Sequence, residues 1–94
     1  MLKYELLPEH CRDGMRLYVE HGIMPGSFMT AVLENNLVEA FAHADDINIH
    51  RMFDYANFLY NELPGNAWGS SAIVLAWAEA RRAEREAKNG QKSL

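Results

Sequence analysis

The chain has a single cysteine, three prolines and no long apolar run, and each shortage removes a class of protein. With Cys11 the only thiol, no intramolecular disulfide can form and a four-cysteine zinc site is excluded, so stability must come from packing. No stretch approaches the ~18 apolar residues needed to cross a bilayer. The opening residues MLKYELLPEH set Lys3, Glu5 and Glu9 around a very short apolar stretch, unlike a secretory leader, which makes the cytoplasm the expected compartment. The six glycines match neither a Walker nor a Rossmann phosphate loop, and nucleophile elbows, HExxH helices and EF-hand loops are missing too. The expectation is a protein that is not an enzyme, with no catalytic residue, cofactor or metal.

What is present is a good core. Of 94 residues, 49% are hydrophobic and 11% aromatic, enough for one domain and too few for two. The net charge of −4 is unevenly spread. Residues 1–64 hold ten acidic residues against four basic ones, whereas residues 65–94 hold three against five. An acidic body repels a nucleic-acid backbone and suits a protein partner with a basic patch.

Apolar spacing predicts helices throughout. Leu7, Pro8 and Glu9 open a first helix that runs to about His21, with Gly22 as its natural stop. Ser27 is the expected cap of a second helix, whose stripe of Phe28, Ala31, Val32, Val38 and Phe41 is interrupted by Asn35 and Asn36. The asparagine pair either faces solvent within one long helix or breaks it, and a break is favoured because both side chains compete for local backbone bonds. Asp45 and Asp46 offer a cap for a third helix over about 47–62, in which Ile49, Met52, Phe53, Ala56, Leu59 and Tyr60 make the expected centre of the core. Pro64 and Gly65 end it. Ser70 or Ser71 caps a fourth helix carrying Ile73, Val74, Leu75 and Trp77, which becomes the charged run EARRAEREAK with little to bury. The predicted fold is therefore all-α: a compact bundle of four to five helices, core about 6–78, with a helical tail about 79–94 that projects and frays over Asn89–Leu94.

Several residues bear on chemistry. His43, Asp45, Asp46 and His50 fall within eight residues, but they straddle a helix boundary and read as surface and capping groups rather than metal ligands. His10 and Cys11 are helix neighbours pointing apart, the cysteine read as buried and inert. Arg81, Arg82, Arg85, Lys88 and Lys92 could meet phosphates, yet Glu79, Glu84 and Glu86 interleave with them, and Glu84 with Lys88 has the order of a local ion pair. Asp46, His50, Asp54 and Asn61, with Asn57 nearby, lie along one side of the third helix as a solvated face or a protein-binding strip. Trp68, in the loop before the fourth helix, caps the core or stands at an interface. With Tyr55 and Phe58 it offers surplus aromatic surface, for which a homodimer is the simplest use. The candidate partner-binding residues are thus Tyr55, Phe58, Trp68, Asp46, His50 and Asp54.

The segments HGIMPGSF, AVLENNLVEAFAHADDIN and FLYNELPGNAWGS resemble a family of small proteins from phages, prophages and mobile elements of Gram-negative bacteria, over roughly residues 6–77. That family has no established activity, so the resemblance implies no catalytic residue. Its members carry Asp where Asn36 stands and Cys in place of Ala67, which argues against a chemistry that needs either position. The resemblance implies a protein that acts by binding host or phage machinery, inhibition of a defence system such as CRISPR interference being one form. The alternative is a nucleic-acid-associated accessory protein using the basic C-terminal helix.

Overall fold

A computed structural model describes residues 2–92. A 3₁₀ turn at Tyr4–Leu6 leads into α1 (Glu9–His21), α2 (Ser27–Leu33) and α3 (Leu37–His43). A second 3₁₀ turn at Asn48–His50 precedes α4 (Met52–Glu62), and α5 (Ser71–Lys92) closes the chain. Among the described residues there is no strand, and the fold is an all-α bundle.

The helix ends follow local chemistry. Gly22 adopts a left-handed φ of 69°, and the N–H groups of Gly22 and Ile23 return to the Tyr18 and Leu17 carbonyls at 3.0 and 3.3 Å. A side chain there would also collide with the Ala78 carbonyl of α5, so the glycine lets the two helices approach. The asparagine pair does break the second predicted helix. Asn35 takes the left-handed conformation (φ 61°) that ends α2, and Asn36 caps α3, its Oδ1 accepting from the Glu39 N–H at 3.4 Å.

Other expected caps shift by one residue. Ser27 is the first residue of α2 rather than its cap, because extended Gly26 precedes it with no side chain to offer. Asp45, not Asp46, accepts from the backbone of Ile47 and Asn48, at 3.0 and 2.7 Å. That arrangement produces a 3₁₀ turn, so the third predicted helix starts only at Met52. Ser70 caps α5, accepting from the Ile73 N–H at 3.2 Å.

The core gathers around α2, in which Phe28, Met29, Ala31, Val32 and Leu33 are all buried. Around it stand Leu7, Met15 and Tyr18 from the N-terminal half, Tyr55, Phe58 and Leu59 from α4, and Val74 and Ala78 from α5. Phe28 meets the Tyr55 ring edge-on at 5.1 Å, and Tyr4 covers Phe58 at 5.7 Å. The Tyr18 hydroxyl donates to the Ala67 carbonyl at 2.7 Å, tying α1 to the loop before α5.

The predicted stripes of α3 and α4 are corrected by burial. Val38 and Phe41 lie in solvent at 75% and 43% exposure, because α3 is only two turns long and presents Ala40 inward. On α4 the predicted core residues Phe53 and Tyr60 are exposed, as is Ala56, and only Leu59 is buried outright. The first turns of α5 pack through Val74, Ala78, Ile73 and Trp77, while Leu75 faces solvent. The molecule measures 49 × 25 × 22 Å, the long dimension matching a terminal helix that runs past the bundle. The expected ion pair of Glu84 with Lys88 is replaced by Arg81 with Glu84 at 2.7 Å. Helix α5 continues to Lys92, through most of the stretch expected to fray (Asn89–Leu94), and residues 93–94 lie outside the described residues.

Candidate protein-binding face

Helix α4 positions two opposite sets of side chains. At 100° per residue, Tyr55, Phe58, Leu59 and Glu62 share one side, while Phe53, Ala56, Asn57 and Tyr60 share the other. The bundle covers the first set. It leaves Phe53 at 79% and Tyr60 at 80% exposure, seven residues apart and so nearly in line along the helix. Across from them, Leu37 at the start of α3 is 67% exposed. Trp68, half-buried and packed on the core, closes the other end.

These groups line two adjoining shallow grooves. One, of about 430 Å³, lies along Phe53, Asn57, Tyr60, Asn61 and Trp68. The other, of about 110 Å³, lies between Leu37, Ala40 and Met52, and both share Asn35, Ala56 and Leu59. Among the described residues no charged one lines either groove. The polar groups present are the amides of Asn35, Asn36, Asn57 and Asn61, of which Asn61 donates to the Asn57 carbonyl oxygen at 2.6 Å. Apolar centre, amide rim and depleted charge are the composition of a protein-binding patch.

The sequence-based candidates are not brought together. Tyr55 and Phe58 are corrected outright: at 1% and 0% exposure they are core, and no partner can reach them without unfolding the bundle. Asp46 and His50 are exposed in the stretch before α4, and Asp54 is half-buried in an ion pair with Arg51. Of the six, Trp68 lines the larger groove, while buried Tyr55 backs the smaller one. The sequence did contain the signal for Phe53, Ala56 and Tyr60, an apolar stripe at helical spacing, but that stripe was assigned to the interior.

A second cluster joins α1 to the 3₁₀ turn before α4. His10 Nε2 lies 2.9 Å from Asp45 Oδ2, and Asp45 in turn holds the Asn48 backbone. Buried Asn48 accepts from the Tyr55 hydroxyl at 2.8 Å and contacts the Cys11 sulfur at 3.6 Å. Backbone donation from Asn48, with His10 alongside, holds the Asp45 carboxyl below the usual carboxylate range. Burial above all, together with the Cys11 contact, pushes the Tyr55 hydroxyl well above its ordinary value. These bonds fix a chain turn. His43 is engaged elsewhere, 3.3 Å from Glu39, so it does not converge with Asp45, and no three His, Cys, Asp or Glu groups gather as a metal site among the described residues.

The basic helix is partly committed as well. The Arg81 guanidinium lies 4.4 Å over the Trp77 ring and pairs with Glu84, while the Trp77 indole donates to the Val19 carbonyl at 3.1 Å. Among the described residues no helix is long and apolar enough to cross a membrane. No family model, curated protein or solved structure matches the chain.

Proposed function

We propose that the chain is a non-enzymatic protein of phage or mobile-element origin that acts by binding a host or phage protein in the cytoplasm. The observation that carries this reading is the uncharged apolar face of α4, where Phe53 and Tyr60 stand in water at 79% and 80% exposure. Apolar patches of this kind, rimmed by polar groups, mark interaction sites on small domains. Interference with a defence system such as CRISPR is one form such action would take. The acidic body, ten carboxylates against four cations in residues 1–64, adds a surface suited to a basic protein. Commitment of Arg81 to Trp77 and Glu84 counts against the nucleic-acid alternative.

The test is recovery of bound protein by a tagged chain, cross-linked in cells that express the mobile element, comparing wild type with Phe53→Asp. A specific protein captured by the wild type and lost with the variant supports the reading. Identical recoveries would overturn it. For the alternative, tight DNA or RNA binding that falls steeply with salt is the distinguishing result.

A further inference from the structure

Taking the α4 face as protein-binding, we propose that its occupant is a second copy of this chain, docked antiparallel so that Phe53 of each copy packs against Tyr60 of the other. Three observations carry this. The first is the order of residues along the stripe. Phe53 and Tyr60 flank Ala56 and Asn57, so a two-fold axis through the small central residue brings each aromatic ring of one helix opposite the other ring of its mate, about 10 Å from its own counterpart. An exposed alanine at the crossing lets the two helix backbones approach closely.

The second observation is charge. The chain carries −4 overall, so two copies repel wherever they meet through typical surface, yet among the described residues no charged one lines these grooves. The Asn57 and Asn61 amides both donate and accept, which lets identical groups pair across the axis as carboxylates cannot. A strongly basic partner would find nothing to pair with here. A host or phage protein that binds through the same face competes with the second copy for it.

The third is area. Two aromatic side chains at 79% and 80% exposure, with Leu37 at 67% and the amide rim, offer on the order of 600 Å² per copy, or ~1,200 Å² for the pair, the lower bound for a stable interface. The pairing is therefore expected to be reversible in the micromolar range rather than obligate.

Light scattering on the full chain tests it, with wild type, Phe53→Asp and Tyr60→Asp compared across the micromolar range. The expected result is twice the chain mass for wild type and a twofold fall for either variant, with all three melting alike once diluted to where the wild type is a single chain, because the substituted side chains lie in solvent in the lone copy. A wild type of single-chain mass throughout, or a dimer unmoved by both variants, overturns the pairing. Geometry is tested separately in a Cys11→Ala background. Mixed Phe53→Cys and Tyr60→Cys chains should form the crossed disulfide in preference to either like pair, and Leu75→Cys should form none. Preferential like pairs would overturn the antiparallel arrangement. Should the wild type be monomeric while Phe53→Asp loses capture of some other protein, self-pairing alone fails. If Phe53→Asp alters neither mass nor capture, the protein-binding reading fails with it.

Discussion

The two faces of α4 carry almost the same chemistry and meet opposite fates. One presents Tyr55 and Phe58, the other Phe53 and Tyr60, a tyrosine and a phenylalanine each; the first pair is 1% and 0% exposed and the second 79% and 80%. Hydrophobicity cannot have made the choice, since both pairs gain comparably from leaving water. The neighbours made it. Asn48 supplies an acceptor for the Tyr55 hydroxyl, Phe28 an edge for its ring, and Tyr4 a cover for Phe58. On the other face nothing within the chain arrives to cover Phe53 or Tyr60. An amphipathic stripe states that a helix has an apolar side; it does not state whether the same molecule covers it.

The contrast can be broken most directly by removing one phenylalanine from each face. Phe58→Ala should cost about 3–5 kcal/mol, because a fully buried ring leaves a cavity that a small core cannot collapse into. Phe53→Ala should stay within about 0.5 kcal/mol when both proteins are measured dilute enough to be single chains. Thermal melts of the two variants are sufficient, and equal losses would refute the assignment of faces.

The tyrosines give a smaller version of the same comparison. Tyr55→Phe leaves the buried Asn48 Oδ1 with only the weak Cys11 thiol as donor and should cost about 1–3 kcal/mol, measured by urea unfolding, whereas Tyr60→Phe should change nothing in the single chain. Alkaline pH reads the buried hydroxyls collectively. Burial, with Glu34 nearby, pushes Tyr18 from 10.0 up to about 12, and Tyr55 moves in the same direction. Between those values the unfolded chain has lost the phenolic proton and the folded chain keeps it, so raising the pH favours unfolding. Stability is therefore fully present below pH 10 and should fall as pH climbs toward 12. Melting temperatures that hold steady over this window would contradict a buried Tyr18.

The smallest expected effect lies at the groove rim. Asn35 holds a left-handed φ of 61°, so Asn35→Ala should cost about 1 kcal/mol while Asn35→Gly costs nearly nothing. Equal stabilities in a chemical denaturation series would show that the turn between α2 and α3 is laxer than its geometry implies.

Chain punctuation was legible from residues because it depends on short-range backbone needs. Gly22, the Asn35–Asn36 pair, Pro64–Gly65 and Ser70 each act within a few residues of their own position, and each ends or starts a helix as its chemistry dictates. Asp45 was half legible: a cap was foreseen at the aspartate pair, but the 3₁₀ turn it holds depends on His10 and Tyr55, which are distant in sequence. The candidate site was legible only as a surplus. The apolar positions around the third predicted helix exceed what one core buries, and the fold leaves some of them exposed, but the exposed pair is Phe53 and Tyr60 rather than Tyr55 and Phe58.

By itself, then, the sequence determined an all-α chain with stops at defined residues, an acidic body and a basic terminal helix, since propensity, capping and charge are properties of residues and near neighbours. Only the tertiary structure decided which side of α4 faces water, that α2 rather than α4 lies at the centre, and that the Trp77 indole docks on the Val19 carbonyl of α1. Those outcomes rest on contacts between residues tens of positions apart, and burial is a property of the assembled bundle rather than of any segment within it.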